Sequence, residues 1–374
     1  MKIGIITFHF AYNYGAALQS WALQHTLQSM CDETDQVEII NYRPDYHTSR
    51  YSVFINPFRE KSYSLAKKIR VLISNYKILS RYQKAVKFRE FEKKLNLTPE
   101  CKTLEDAIEI CKDFELLICG SDQIWNMNLT DNKFDDMYFA RIPGISSKKA
   151  TYAISAGEVN LEDYSEEIRK YLADFVAISC RENKTKKELV NITGRTDITV
   201  VPDPTLLIAP EVYNSIMCDD KPKENTKYIL VYKLDDNELL ESAVTKTYER
   251  EKLPVINISP SKLLVNIPHK WKHNIGPSEF VELIRNAEIV VTNSFHGTVF
   301  SLLYQKKVIV VPHFNRNERI INLLKSVNAE QFLVSSEDDV ARILDSYLDY
   351  DEISTSIHDI REHGMMYLQR CIHT

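Results

Sequence analysis

The sequence predicts an α/β protein built from two units, each a parallel β-sheet covered by helices. Short apolar runs alternate with amphipathic stretches along most of the 374 residues, which is typical of β-α-β units. The chain also exceeds the roughly 250–300 residues at which a single hydrophobic core stops growing. A polar stretch at 218–227 interrupts the alternation, which then resumes. We therefore expect two Rossmann-like domains.

The apolar and amphipathic runs place the elements of both units. In the first unit they predict strands at 2–8, 37–42, 115–120, 149–155, 174–179 and 197–202, and helices at 16–27, 103–112, 165–173 and 183–191. In the second unit they predict strands at 228–234, 254–259, 287–293 and 307–312, and helices at 236–249, 278–285 and 297–304. The expected domains are 1–210 and 211–345, followed by a C-terminal helix at 346–374 that packs back on the first domain.

Composition excludes several classes of protein. The 47 basic and 52 acidic residues give a net charge of −5, which argues against a nucleic-acid partner. The seven cysteines are scattered and never spaced C-x-x-C, so a reduced cytosolic protein is expected rather than a disulfide framework or a structural zinc site. The N-terminus does not resemble a signal peptide, and no apolar run approaches the ~20 residues of a membrane span. The glycine spacing excludes dinucleotide-binding and Walker loops.

One segment departs from the overall charge balance. Residues 59–94 contain twelve Lys or Arg and three Glu, and they are amphipathic at helical spacing. One interpretation is a solvated helical hairpin inserted in the first domain at about 57–97. The other is a contact with the anionic lipids of a membrane surface. Both interpretations stay open at this point.

Polar residues follow four of the predicted strands. Because the carboxyl ends of parallel strands meet at one edge of a sheet, these residues should line a common cleft. After the first strand, Asn13 and Gly15 allow a tight loop before a helix N-terminus that attracts anions or sugar hydroxyls. After 115–120, Asp122 and Gln123 are expected to bind hydroxyl groups and Trp125 to stack on a sugar. A purely structural turn remains the alternative at both places.

The other two strand ends carry cations. Arg181 follows 174–179, where it suits bidentate binding of a carboxylate or phosphate, unless it only forms a surface ion pair. The strongest candidate is the stretch 292–298, where Asn293 or Ser294 can cap a helix and His296 can donate to an anion. His269 and His273 have i, i+4 spacing without an accompanying carboxylate, so we expect no metal site and no cofactor.

Six motifs together resemble the bacterial polysaccharide pyruvyl transferase family. They are TFHFAYNYGAALQSWAL (7–23), GSDQIWN (120–126), YAISAG (152–157), ISCRE (178–182), VPDPTLL (201–207) and TNSFHGTVFSLL (292–303). The resemblance implies a glycosyltransferase-B-like pair of Rossmann-type domains with the active site between them. It also implies phosphoenolpyruvate as donor and a sugar of a surface polysaccharide, or of its polyprenyl-diphosphate-linked precursor, as acceptor. The product would be a pyruvate ketal.

The resemblance also assigns residues. Arg181 and His296 match the donor-binding Arg and His of the family, and a third basic residue is either Arg316 or Arg319, with the NERI context favouring Arg319. The remaining donor-side expectations are Ser294 and Gly297. The expected catalytic residues are His296, Arg181 and Asp122. The expected acceptor-side residues are Asn13, Tyr14, Gly15, Ser121, Asp122, Gln123, Trp125 and Glu158.

The chemistry of the donor agrees with these residues. Phosphoenolpyruvate carries close to three negative charges, which two Arg, one His and helix N-termini can balance without a metal. An acceptor on a polyprenyl diphosphate would place the protein in the cytoplasm or at the inner face of the membrane. A nucleotide-sugar-dependent glycosyltransferase of the same fold and a glycan-binding module without turnover are the alternatives, because fold does not fix function.

Overall fold

The first unit contains a parallel sheet. A computed structural model describes residues 1–51, 53, 64–65, 68–69, 78–217, 227–312, 318–347 and 349–373. The strands of this sheet are β1 (Lys2–Ile6), β2 (Gln36–Ile39), β3 (Leu116–Asp122), β4 (Lys148–Ile154), β5 (Phe175–Ala177), β6 (Ser179–Cys180) and β7 (Thr199–Val200). They are ordered β2-β1-β3-β4-β6-β7, and β5 also pairs with β4. Every pairing is parallel.

Helices cover this sheet on both faces. They are α1 (Tyr14–Met30), α2 (Asp45–Thr48), α3 (Ile78–Glu92), α4 (Leu104–Cys111), α5 (Ser165–Tyr171) and α6 (Asn183–Thr193). Side chains alternate across a strand, and in β3 Leu116 and Ile118 belong to one apolar cluster while Leu117 and Cys119 belong to another. Burial on both faces explains why these strands read as continuous apolar runs.

The second unit repeats the architecture with a shorter sheet. Its strands are β8 (Ile229–Tyr232), β9 (Val255–Asn257), β10 (His269–Trp271), β11 (Ile289–Thr292) and β12 (Lys307–Val310), ordered β10-β9-β8-β11-β12 and all parallel. Its helices are α7 (Glu238–Glu251), α8 (Pro277–Asn286), α9 (Phe295–Leu303), α10 (Glu318–Ser326) and α11 (Glu337–Asp345). The two parallel sheets confirm the predicted α/β class.

Helix α12 (Asp351–His373) lies against the first unit. The Tyr367 hydroxyl donates to the carbonyl oxygen of Thr151 on β4 at 2.8 Å. Gly364 permits a close approach, because a Cβ at this position would lie 2.7 Å from Leu207 Cδ2. The last helix of the chain is therefore held to the centre of the first sheet.

Several elements differ from the sequence prediction, which included neither α2 nor α10. The strand expected at 174–179 is two short strands, β5 and β6, because the pairing with β4 shifts register. Strand β10 was not predicted, since three residues with His and Lys show no apolar alternation. Its histidine, His269, donates through Nδ1 to the carbonyl oxygen of Ile267 at 3.0 Å.

Helix α3 shows what the described part of the basic insertion does. Lys87 pairs with Glu279 of α8 at 2.7 Å, and Asn274 donates to Gln83 at 2.7 Å. The second half of the insertion is therefore docked on the second unit and is not a freely solvated hairpin. Residues 54–63, 66–67 and 70–77 of the insertion lie outside the described residues. Among the helices that are described, none combines the length and apolarity needed to cross a membrane.

Candidate active site between the two units

A buried carboxylate, Asp203, lies where the two units meet. Its Oδ1 accepts from the Thr205 amide at 2.9 Å and from the Thr205 hydroxyl at 2.6 Å, which fixes the orientation of the side chain. Its Oδ2 lies 2.7 Å from Arg181 Nη2 and 3.6 Å from His296 Nε2. The two cations that the sequence singled out, one from each unit, therefore share one oxygen atom.

Arg181 is delivered to this point by the end of β6. Hydrogen bonds between Ser179 and Thr151 fasten β6 to β4, and the Arg181 amide donates to the carbonyl of Ile154 at 3.0 Å. The guanidinium donates to the Ser121 hydroxyl, and its carbon lies 5.5 Å from the centre of the Phe295 ring. Arg181 is 8% exposed, and its Nε and Nη1 have no hydrogen-bond partner among the described residues.

His296 lies in the first turn of α9, not before the helix as the sequence suggested. Ser294 is the N-cap, with its hydroxyl accepting from the Gly297 amide at 3.3 Å. Gly297 is required here, because a Cβ would lie 2.4 Å from Thr292 Oγ1. The Ser294 cap and the buried helix that follows hold the His296 ring in position at the cleft.

The first loop of the chain reaches His296 from the other unit. Asn13 caps α1 by accepting from the amides of Gly15 and Ala16 at 2.9 and 3.3 Å. A Cβ at Gly15 would lie 2.0 Å from His296 Nδ1, so only glycine permits this approach. The start of α1 therefore forms one wall of the His296 site.

Arg319, on α10, is the third cation of the site. With its amide oriented so that the oxygen faces Arg319, Gln123 accepts from both terminal guanidinium nitrogens at 3.0 and 2.8 Å. Burial and the nearby charge of Arg181 lower the pKa of Arg319. The carboxylates of Glu182 and Asp122 act in the opposite direction. Two guanidinium groups that repel each other across a cleft favour an anion between them.

The pKa values of the two buried acidic residues, Asp203 and Glu182, are shifted in opposite directions. Burial alone would raise the pKa of Asp203, but the charges of Arg181 and His296 outweigh burial and hold that pKa well below its usual range. Burial raises the pKa of Glu182 despite the opposing charges of Arg181 and Arg319. Burial alone would lower the pKa of Arg181, but Asp203 and the other carboxylates raise that pKa by more than burial lowers it. The guanidinium therefore stays charged.

Three cavities meet at Arg319. The cleft cavity, of about 270 Å³, is lined among others by Asn13, Asp122, Gln123, Ser294, His296 and Arg319. The polar cavity, of about 370 Å³, is lined among others by Gln123, Asn126, Glu158, Glu182, Lys184 and Arg319. The C-helix cavity, of about 230 Å³, is lined among others by Arg181, Asp203, Phe295, Arg319, Ile360 and His363. Together they can hold small polar ligands on opposite sides of one guanidinium.

Three residues expected on the acceptor side do not line the cleft. Trp125 is fully buried, stacks on Phe139 with ring centres 4.6 Å apart and donates through Nε1 to a backbone carbonyl, so it cannot stack on a sugar. Tyr14 is buried and stacks on Phe280 at 4.7 Å. Ser121 is buried beneath Arg181 and accepts from its guanidinium. Their polar or aromatic character therefore serves packing and positioning.

The other expected residues lie around the cleft with different tasks. Gly297 is buried inside α9, where its amide is taken by the cap, so it is not a free donor to an anion. Asp122 lines the cleft cavity with its backbone at φ 77°, in the left-handed region that non-glycine residues rarely adopt. Glu158 lines the polar cavity beside Arg319. Arg316 lies outside the described residues.

Sequence reasoning missed the residue that connects the site. Asp203 belongs to the VPDPTLL stretch, yet it was not named as a site residue. Its signal was an acidic residue between two prolines, Pro202 and Pro204, just after the end of β7. The cleft cavity is also lined by His47 and Tyr51, which lie between the strand predicted at 37–42 and the basic insertion.

The comparison with family models decides the assignment. The model of the polysaccharide pyruvyl transferase family matches residues 13–315, about four fifths of the chain. The chain belongs to the polysaccharide pyruvyl transferase family. All the sequence motifs that resemble the family lie wholly or largely within this range, and Arg319 and α12 lie beyond it. A search of curated protein sequences returns no match.

The fold of this pyruvyl transferase family member is shared by solved structures. A UDP-N-acetylglucosamine 2-epimerase from Neisseria meningitidis bound to UDP-GlcNAc is similar with a TM-score of 0.53 and 11% identity, covering 100% of both chains. A putative UDP-N-acetylglucosamine 2-epimerase from Listeria monocytogenes has the same TM-score and identity, covering 95% of this chain and 90% of its own. At this identity the likeness shows a glycosyltransferase-B-like fold alone.

Proposed function

We propose that the protein transfers the pyruvyl group of phosphoenolpyruvate to two hydroxyls of a sugar, forming a ketal and releasing phosphate. The sugar belongs to a surface polysaccharide or to its polyprenyl-diphosphate-linked precursor. The observation that carries this proposal is the shared contact of Arg181 and His296 with one oxygen of Asp203, with Arg319 beside them. Three basic side chains from both units converge at this point, which favours binding of a small polyanion.

The reaction needs an acid that protonates the donor, a base that takes a proton from the acceptor hydroxyl, and positive charge that stabilises the departing phosphate. A proton adds to the methylene carbon of phosphoenolpyruvate, giving an oxocarbenium-like centre at C2. One sugar hydroxyl attacks C2 and loses its proton. The C2–O bond to phosphate breaks, phosphate leaves with one proton, and the second hydroxyl closes the ketal as it loses its own. The two protons given up by the hydroxyls balance the ones gained by methylene and phosphate.

The site offers a residue for each task. His296 Nε2 lies 3.6 Å from Asp203 Oδ2, too far for a hydrogen bond, and we assign this nitrogen as the acid. Asp122 lines the same cavity, and we assign it as the base for the acceptor hydroxyl. Arg181 and Arg319 hold the carboxylate and phosphate of the donor. This assignment uses no metal and no cofactor.

Phosphate release tests the proposed reaction. Phosphoenolpyruvate is incubated with glycosides of galactose, glucose and N-acetylmannosamine, and released phosphate is measured with and without each. We expect release with at least one acceptor, and a product with the mass of acceptor plus pyruvic acid less one water. No phosphate release with any acceptor, together with release of a nucleoside diphosphate from a nucleotide sugar, would favour the glycosyltransferase alternative.

Two substitutions test the site. His296→Ala and Arg181→Ala are each expected to abolish turnover while the protein stays folded, although Arg181→Ala should lower the free energy of unfolding by about 3–5 kcal/mol because Asp203 loses its buried partner. Arg141→Ala is the matched control, because Arg141 is exposed and pairs with Asp136 at 3.0 Å, away from the cleft. Near-normal turnover in either of the first two variants would show that the reaction occurs elsewhere.

We further propose that α3 contacts the anionic inner face of a membrane, where a lipid-linked acceptor would be. Leu79 and Tyr82 of α3 are 65% and 53% exposed, although Gln83 and Lys87 of the same helix contact the second unit. Residues 59–94 around them carry a net charge of +9, which complements anionic lipid.

Vesicle co-sedimentation tests this contact. The protein is expected to sediment with phosphatidylglycerol vesicles and less with phosphatidylcholine vesicles. The double variant Leu79→Glu, Tyr82→Glu should lose binding. The double variant Leu264→Glu, Tyr347→Glu should keep it, since those exposed residues lie outside the insertion. Equal binding by both double variants would refute the contact.

A further inference from the structure

The cleft cavity has an aromatic wall to which the proposed reaction assigns no task. Phe8, His47 and Tyr51 of the first unit form this wall, while His296 lines the same cavity from the second unit. His47 belongs to α2, and Tyr51 ends the short turn that directly follows this helix. Neither His47 nor Tyr51 lies in any of the six motifs that resemble the pyruvyl transferase family. The family motifs therefore leave the chemistry of this wall unspecified.

His47 is fixed in the wall and has one ring nitrogen to spare. Its ring lies between those of Phe8 and Phe10, which it meets edge-on with ring centres 4.7 and 4.9 Å apart. The Nε2 atom lies 3.4 Å from the Tyr51 hydroxyl. The side chain is 3% exposed, and its Nδ1 has no hydrogen-bond partner in the part of the chain that the structure describes. A buried polar atom without a partner is costly unless a ligand or water satisfies it.

Tyr51 supplies a partly exposed aromatic ring beside this imidazole. Its ring centre lies 5.4 Å from that of Tyr12. Burial and the charge of Asp122 raise the pKa of Tyr51 to about 12, and burial lowers the pKa of His47 to about 4. Both side chains are therefore uncharged at neutral pH, next to the Asp122 carboxylate that lines the same cavity. A flat apolar ring combined with neutral hydrogen-bonding groups suits a sugar better than an anion.

We infer that Tyr51 and His47 select the acceptor sugar. The Tyr51 ring packs against the C–H face of the sugar, and the His47 imidazole hydrogen-bonds a hydroxyl that does not react. Tyr51 thereby takes the role that the sequence assigned to Trp125. A sugar that presents no hydroxyl to His47 leaves a buried nitrogen unsatisfied, so the wrong epimer binds more weakly. This inference rests on the proposed function, since it names the residues that recognise the acceptor of that reaction.

Sugar binding by the full chain tests this selection without turnover. Binding of the methyl glycosides of galactose, glucose and N-acetylmannosamine is measured by saturation-transfer NMR in the absence of phosphoenolpyruvate. Tyr51→Ala removes the ring, Tyr51→Phe keeps it, and His47→Leu replaces the imidazole by an apolar group. Tyr347→Ala is the matched control, because Tyr347 is 95% exposed and does not line the three cavities. Unfolding temperatures confirm that each variant is folded.

We expect the wild-type protein to bind at least one glycoside, and Tyr51→Ala to weaken that binding by about tenfold or more. Tyr51→Phe should stay within about twofold of the wild type, and Tyr347→Ala should be unchanged. His47→Leu should weaken the preferred glycoside by about tenfold or more and the least preferred one by less.

Wild-type affinity in both Tyr51→Ala and His47→Leu, or no binding of any glycoside by the wild type, would overturn the inference. If one of these two variants does not fold, the other decides. The proposed function fails separately: a protein that binds a glycoside through these residues, yet releases no phosphate from phosphoenolpyruvate, would refute the reaction and leave the sugar site standing.

Discussion

At the scale of single residues, Asp203 holds the basic residues of the site together. Its Oδ2 is shared between Arg181 and His296, and its Oδ1 is saturated by Thr205. Removing one member of a buried ion pair leaves a buried charge without compensation, which is among the most destabilising changes in proteins. Asp203 is therefore expected to contribute to stability and to the geometry of both cations.

The substitution Asp203→Asn tests that contribution. The pKa of Asp203 is held well below its usual value of 3.8, so the stabilisation that this carboxylate provides is present above pH 3.8 and is lost as the pH falls through the lower pKa of the folded state. We expect Asp203→Asn to cost about 3–5 kcal/mol at pH 7 in urea denaturation. Asp197→Asn, which breaks a largely exposed pair with Arg195, should cost about 0–1 kcal/mol. Equal costs would contradict the assignment.

Gly15 gives a second prediction at this scale. Gly15→Ala introduces a Cβ that would lie 2.0 Å from His296 Nδ1, so the imidazole must move. We expect turnover to fall at least a hundredfold while the protein stays folded. Gly194→Ala is the contrasting control, since Gly194 has a positive φ but nothing within 4 Å of an added Cβ. That variant should lose about 1 kcal/mol of stability and keep its turnover. The opposite pattern would disprove a role for Gly15 at the site.

At the scale of elements, α3 places a cation among aromatic rings. Lys84 Nζ lies 4.9 Å from the ring centre of Tyr14 and 5.4 Å from that of Phe88. Burial lowers the pKa of Lys84 to about 8. The helix is therefore joined to α1 through a lysine that is easier to deprotonate than a solvated one.

Because its pKa is lowered on folding, Lys84 should make the free energy of unfolding depend on pH. Between pH 8 and pH 10.5 the unfolded chain binds a proton at Lys84 that the folded chain has released, so stability rises with pH in this range. Lys84→Met should remove the rise and increase stability at pH 7 by about 1–3 kcal/mol, partly offset by the lost cation–π contacts. Chemical denaturation at several pH values measures both effects. Lys93→Met is the control, because Lys93 is exposed, and it should change neither the stability at pH 7 nor its rise with pH. A rise in stability between pH 8 and pH 10.5 that persists in Lys84→Met would exclude Lys84 as its source.

The sequence predicted the elements better than the directions of their side chains. Parallel strands in a two-sided sheet are apolar throughout, so their runs are visible without knowledge of the partners. Trp125 and Tyr14 were placed in the cleft because they follow strands, but which face of a loop an aromatic ring occupies depends on long-range packing. Asp203 was missed for the same reason, since its importance arises from two residues distant in sequence.

At the scale of the whole molecule, the proposed donor connects two units. Arg181 belongs to the first unit and Arg319 to the second, so an anion held by both should stabilise the protein against unfolding. We expect saturating phosphoenolpyruvate, at about 100 times Kd, to add about 2.7 kcal/mol, seen as a higher unfolding temperature. Arg319→Gln should abolish the shift. Arg316→Gln should keep it, and the reverse result would make Arg316 the donor-binding residue.

The contact between α1 and the second unit sets a limit on motion. Tyr14 stacks on Phe280, and its ring centre lies 5.6 Å from that of Tyr232, so one apolar cluster runs continuously through both units. Rotating the units apart would return these rings to water, at about 25 cal/mol per Å² of apolar surface and some 150–250 Å² for each aromatic side chain. This packing therefore opposes opening of the groove between the units. Under the proposed function, we expect a glycan acceptor to enter the groove by its terminal sugar, end-on, rather than sideways through a hinge opening.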